Sequence, residues 1–125
     1  MNMKRIALIG LGAVGSYFYE GLEKLGDKIS LFVIAEGERK EKLNREGITI
    51  NGRHYIPNAV ETAEDIDLIL VATKYGALRD ILPTIRRLTN PNTTVISLLN
   101  GVDSEEIIAT AINEENILYS VMKIY

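Results

Sequence analysis

Cysteine and tryptophan are absent from this 125-residue chain, histidine occurs once and proline three times. Without cysteine there can be no disulfide framework, no thiolate nucleophile and no cysteine-type zinc site. The lone His54 has no second histidine with which to hold a metal, and beside Arg53 and Tyr55 it reads as a surface residue. Long apolar runs are missing too: nothing approaches the roughly 20 residues that cross a bilayer, so no membrane partner is expected. Positive charge is not in excess. The formal net charge is −3, which is not the footprint of a nucleic-acid binder. The basic start Met1-Asn2-Met3-Lys4-Arg5 mimics a signal peptide, but the glycines and charged helix beyond it fit a buried strand better. A cytoplasmic location is the natural expectation for a cysteine-free chain of this composition.

What is present is concentrated at the front. Ile6-Ala7-Leu8-Ile9 runs into Gly10-Leu11-Gly12-Ala13-Val14-Gly15 and then into an amphipathic stretch. A strand leading through Gly-x-Gly-x-x-Gly into a helix is the dinucleotide-binding fingerprint in its required context. Gly10 permits the turn off the strand, and Gly12 lets the backbone approach a pyrophosphate. Gly15 lets helix and strand pack closely. The helix start near Ala13 offers unpaired N–H groups and a positive dipole end to phosphates.

The rest alternates regularly. Strands are expected at about 5–9, 29–35, 67–73, 94–99 and 117–124, and helices at about 14–25, 38–44, 77–88 and 104–112. Gly26 is expected in the C′ position of the first helix and Gly47 at the end of the second. Ile48–Ile50 and His54–Ile56 flank Asn51-Gly52, which suits a type I′ hairpin turn. Continuous apolar strands separated by helices imply a parallel sheet buried on both faces. The expected fold is therefore α/β: a doubly wound, Rossmann-like parallel sheet in three α/β/α layers, forming one dinucleotide-binding domain over residues 1–125.

Three positions follow strands where such a sheet holds its ligands. Glu36 ends the second strand, about 20 residues past the glycines, where a carboxylate accepts hydrogen bonds from the ribose of NAD and repels the extra phosphate of NADP. Arg39-Lys40, just beyond, could instead swing toward a 2′-phosphate, and the whole run could be a solvated helix start. Lys74 falls at the carboxyl end of a buried strand, where its ammonium can meet a substrate carboxylate or a cofactor phosphate or ribose. It could equally be a surface lysine opening a helix. Asn100 stands after the next strand, with an amide that both donates and accepts, although Asn-Gly also forms turns.

Taken together, Gly10–Gly15, Ala72-Thr73-Lys74 and Leu99-Asn100-Gly101-Val102 resemble the N-terminal domain of ketopantoate reductase (2-dehydropantoate 2-reductase). Ala35-Glu36-Gly37-Glu38-Arg39 and Glu46–Ile50 also match that family's habits, and the resemblance covers essentially the whole chain. It implies hydride transfer from a nicotinamide cofactor, NADP or NAD, to a 2-keto acid: ketopantoate to pantoate, on the route to coenzyme A. By resemblance, Gly10, Leu11, Gly12, Ala13, Val14 and Gly15 hold the pyrophosphate and Lys74 contacts the cofactor. Asn100 then lies near both nicotinamide and substrate. The family usually carries an arginine where this chain has Glu36, which tilts the expectation to NAD. The family's general-acid lysine belongs to a helical C-terminal substrate domain absent from this chain. These residues are thus expected to bind cofactor without turning over ketopantoate, and no catalytic residue is assigned among them.

The rival is a non-catalytic NAD(H)-sensing regulatory domain of a potassium transport system, which the short length and Glu36 suit and which Lys74 and Asn100 oppose. Asp65 and Asp67 read as strand-start carboxylates rather than a catalytic pair. Tyr17, Phe18 and Tyr19 read as helix packing and surface. Glu105-Glu106 reads as favourable charge at a helix start. An exposed last strand would invite self-association into a homo-oligomer.

Overall fold

The computed structural model describes residues 4–99 and 103–118. Its elements in order are β1 (Arg5–Ile9), α1 (Ala13–Glu23), β2 (Ser30–Ile34), α2 (Gly37–Glu46), β3 (Ile48–Ile50) and β4 (Arg53–Tyr55). Then come β5 (Ala59–Val60), β6 (Leu68–Val71), α3 (Leu82–Leu88), β7 (Thr94–Ser97), α4 (Ser104–Ile108) and β8 (Ile117–Leu118). Six strands form one sheet in the order β5-β2-β1-β6-β7-β8, and every pairing in it is parallel. The chain winds outward from β1 through β2 to β5, then returns to place β6 on the other side of β1. That reversal opens a crevice at the carboxyl ends of β1 and β6, where doubly wound sheets hold ligands.

Strand alternation builds the two outer layers. Ile6 and Leu8 face one side with Val33 and Leu70, and pack with Tyr19 of α1, Leu43 of α2 and Ile50 of the hairpin. Ala7 and Ile9 face the other side with Ile69, Val71 and Val95, and pack with Ile85 and Leu88 of α3 and Ile107 and Ile108 of α4. Burying each such aliphatic side chain stabilises by about 2 kcal/mol. The ion pairs found among the described residues, Lys40–Glu61 and Arg45–Glu46, are partly exposed and contribute under about 1 kcal/mol each. The two apolar layers hold the fold. The expected three-layer, doubly wound α/β architecture is the one observed.

Several local expectations need correction. The first helix ends at Glu23, with Lys24 as its cap, so Gly26 is not at C′. Instead Gly26, at φ +55°, opens a 3₁₀ turn. The single helix expected at 77–88 is broken into 3₁₀ turns at Tyr75–Ala77 and Arg79–Ile81 before α3, with Pro83 in the first turn of that short helix. The helix expected at 104–112 stops at Ile108. A two-residue strand, β5, was not expected: Ala59 and Val60 are too short a run to signal the strand that edges the sheet. Gly47 does close α2, donating its N–H to the Leu43 carbonyl at 3.0 Å. The hairpin forms as expected, with Asn51 and Gly52 both at positive φ. Of the last strand expected at 117–124, residues beyond Leu118 lie outside the described residues.

Candidate functional site at the carboxyl ends of β1 and β6

The glycine loop is shaped from both sides of the crevice. Ala72, just past β6, donates its N–H to the Ile9 carbonyl at 2.8 Å, drawing the β6 exit against the start of the loop. Gly10 sits there at φ +100°, and a β-carbon on it would lie 2.6 Å from the Ala72 carbonyl oxygen and 2.7 Å from the Thr73 nitrogen. A β-carbon on Gly15 would collide with the Gly10 carbonyl oxygen and come within 3.3 Å of the Ala72 β-carbon. Gly12 is different. A β-carbon there meets nothing within 4 Å, so its bareness leaves open space in front of the loop rather than relieving a clash. The Ser16 hydroxyl donates to the Leu11 carbonyl at 3.0 Å and ties the loop to the first turn of α1.

Gly12 is the N-cap of α1. No side chain caps that end, and its first turn holds no acidic residue. The leading amides of a helix have no carbonyl partners within it. Here they face open space at the positive end of the dipole, an arrangement that suits a phosphate.

At the end of β2, Glu36 is exposed and caps α2 only through its backbone; its carboxylate makes no capping hydrogen bond. It is therefore available to a ligand. Of the two nearby cations, Lys40 is held 3.1 Å from Glu61, and Arg39 forms no ion pair among the described residues. At the end of β6, Lys74 is exposed and opens a 3₁₀ turn, with its carbonyl accepting from Ala77 N–H at 2.9 Å. Its neighbour Tyr75 donates its hydroxyl to Asp103 Oδ1 at 2.6 Å, joining the β6 exit to the chain that follows β7. That carboxylate holds the Tyr75 phenol above its ordinary pKa. Below the same loop, the buried Ser97 hydroxyl donates to Ser104 at 2.9 Å and accepts from Leu99 N–H at 3.3 Å. Asn100 itself lies outside the described residues.

The structure thus brings the glycine loop and the β6 exit together at one crevice, with Glu36 at the adjoining end of β2. Sequence reasoning missed Ala72 as the residue that dictates glycine at position 10. It also missed the Tyr75–Asp103 contact, which spans 28 residues and leaves no local pattern. Glu105 and Glu106 stand in the first turn of α4, where charge at a helix start was expected, and Glu105 is fully buried whereas Glu106 is exposed. Asp67 is structural, as its strand-start position suggested, its Oδ2 accepting from Lys4 and Arg5 N–H at 3.0 and 2.9 Å. His54 is exposed, as expected. No cluster of three metal-ligating side chains occurs among the described residues, and no helix there is long and apolar enough to cross a membrane.

A depression of about 430 Å³ lies elsewhere, at the amino ends of β7 and β8, lined by Arg86, Asn90, Asn113 and Asn116 among others. Its two central amides are already used: Asn116 Nδ2 donates to the Asn90 and Thr93 carbonyls, and Asn90 Oδ1 accepts from Asn92 N–H. It is not at the crevice, and the crevice is the better candidate because uncommitted backbone donors face it.

The model of the family described as ketopantoate reductase PanE/ApbA matches residues 6–124. The chain belongs to the ketopantoate reductase family. Relatives of this oxidoreductase family include the 2-dehydropantoate 2-reductase of Lactococcus lactis subsp. lactis (strain IL1403), 31% identical over 121 residues. That match takes in 90% of this chain and 39% of the relative, so the chain spans about two fifths of the enzyme's length. Among solved structures, a D-mandelate dehydrogenase in ternary complex with NADH and anilino(oxo)acetate superposes with a TM-score of 0.79 at 30% identity. The match covers 93% of this chain and 40% of that one. A 2-dehydropantoate 2-reductase from Porphyromonas gingivalis W83 gives 0.71 at 25% identity, covering 93% and 45%.

Proposed function

We propose that this chain is the NAD(P)-binding domain of a 2-dehydropantoate 2-reductase-like oxidoreductase, the part that holds the nicotinamide cofactor while a 2-keto acid is reduced. The observation that carries the reading is the uncapped amino end of α1, opening on the empty space in front of Gly12 at the β1/β6 crevice. The backbone of Gly10–Gly15 takes the pyrophosphate. Lys74 supplies positive charge at the nicotinamide side, and Asn100, on the resemblance, lies near nicotinamide and substrate. The cofactor when bound supplies the hydride; the residues of this chain bind and orient it. The carbonyl's developing charge needs donors in the substrate domain as well, so ketopantoate turnover requires more than these 125 residues.

For the adenosine end we propose NAD over NADP. The Glu36 carboxylate, free of its own helix, accepts from ribose hydroxyls and repels a 2′-phosphate, and Lys40 is engaged with Glu61. The NADH in the D-mandelate dehydrogenase complex is in keeping with this choice. Family membership favours the oxidoreductase reading over a nucleotide sensor.

Calorimetric titration of the chain with NADH and NADPH at fixed salt tests both levels. NADH is expected to bind more tightly, and Glu36→Arg to narrow or reverse the preference. An unchanged preference removes Glu36 from the site, and binding of neither nucleotide removes the cofactor reading.

A further inference from the structure

Two glutamates follow neighbouring strands at the β2–β5 edge of the sheet. Ile34 pairs with Val60, and Ala35 N–H closes the ladder on the Val60 carbonyl at 3.0 Å, so Glu36 and Glu61 come next on each side. The Glu61 main chain is fixed from the other layer as well, where Arg87 of α3 donates to its carbonyl at 2.8 Å. Its carboxylate is taken by α2. That helix is docked on β5 by a reciprocal pair: Asn44 Nδ2 donates to the Ala59 carbonyl at 2.9 Å, and Asn44 Oδ1 accepts from Ala59 N–H at 3.0 Å. Lys40 stands one turn before Asn44 on the same helix face, and Glu61 lies two residues past Ala59. The docking therefore lines Lys40 up with Glu61, and the ammonium lies 3.1 Å from Oε2 with its side chain only 30% exposed. One turn in the other direction is Glu36, whose carbonyl accepts from Lys40 N–H at 3.3 Å. Lys40 is thus a cation within one helical turn of the ribose end of the site, drawn instead to β5.

We propose that Glu61 is a positioning residue that sets cofactor specificity: by holding Lys40 against β5, it denies a 2′-phosphate the cation that would neutralise it. The proposal rests on the cofactor-binding reading above, with the adenosine ribose at Glu36. Glu61 acts on the nucleotide only through Lys40. Glu36 repels the extra phosphate directly, and Glu61 removes the counter-charge that would offset that repulsion.

The ratio of NADPH to NADH affinity, measured by calorimetric titration at fixed salt, tests this. Glu61→Ala removes the carboxylate and keeps the carbonyl that Arg87 uses; the lost side chain is 55% exposed, so no core packing goes with it. Freed Lys40 can then approach a 2′-phosphate. NADPH binding is expected to tighten relative to NADH by about two- to fivefold, the range of one exposed charge pair. Lys40→Met alone is expected to leave the ratio near its wild-type value, and the Glu61→Ala/Lys40→Met double variant to lose the gain. Glu36 and Arg39 are common to all four proteins, so the change is read whichever nucleotide the wild type prefers. An unchanged ratio in Glu61→Ala, or a gain that survives without Lys40, overturns the proposal and leaves the cofactor reading intact. So does a marked loss of NADPH binding in Lys40→Met alone, which would put Lys40 at the phosphate already. Binding of neither nucleotide to the wild-type chain overturns the cofactor reading, and the role of Glu61 falls with it.

Discussion

The two outer glycines and the middle one of the fingerprint are required for different reasons, and substitution separates them. Gly10→Ala places a methyl 2.6 Å from the Ala72 carbonyl in a backbone region that L-residues rarely adopt. It is expected to cost about 2 kcal/mol or more, read as a lowered urea midpoint. Gly12→Ala meets nothing within 4 Å and has an ordinary φ of −73°. Its stability is expected to stay within about 0.5 kcal/mol of wild type, while NADH affinity drops because the methyl occupies the phosphate's space. A Gly12→Ala protein that binds NADH normally would show the loop to be structural alone. The turn at Gly10 and the close packing at Gly15 were legible at the outset, since Gly-x-Gly-x-x-Gly between a strand and a helix carries its own geometry. The Tyr75–Asp103 contact was not, because its two residues stand 28 positions apart.

At the level of elements, the hairpin β3–β4 is pinned to α1 by one carboxylate. Glu20 accepts from the Tyr55 hydroxyl at 2.7 Å and from Asn51 Nδ2 at 3.0 Å. Those donors hold the Glu20 carboxyl below its ordinary pKa, the Tyr55 bond contributing most. In the unfolded chain the group titrates near its usual value of about 4.3. The stabilisation is therefore complete above that pH and lost as pH falls through the lower folded value. Glu20→Gln is expected to lower the urea midpoint at neutral pH, with the difference from wild type shrinking in acid below about pH 4. A difference that is constant with pH would mean that Glu20 acts through packing and not through its charge. Here the sequence was a fair guide to strands with long apolar runs, β1, β2, β6 and β7, and to the Asn51-Gly52 turn. It was a poor guide between 75 and 88, where tertiary packing splits a helical pattern into short 3₁₀ turns and a seven-residue helix. β5 pairs only through Ala59 and Val60, too short for any periodicity to register.

For the molecule as a whole, a ligand that binds only the folded state must raise its stability. At a free NADH concentration a hundredfold above Kd, the gain is expected to be about 2.7 kcal/mol. A thermal or urea unfolding series with rising NADH measures it directly. The same series with NADPH should show a smaller gain at equal concentration, and Gly12→Ala should abolish both. The whole-sheet architecture was readable from strand–helix alternation, because parallel strands buried on both faces allow few other arrangements.

The contact between Ala72 and the glycine loop has a consequence for how the site comes into being. The loop is spelled by six residues near the start of the chain, Gly10–Gly15, but its shape is completed by a carbonyl and a methyl delivered just past β6, far along the sequence. A peptide ending before β6 carries the full fingerprint and lacks the wall that bends it. The nucleotide-holding geometry is then among the later features to appear during folding, since it waits for the non-local docking of β6 on β1. Cofactor added early in refolding would find no site to capture, and would act only once the centre of the sheet had closed.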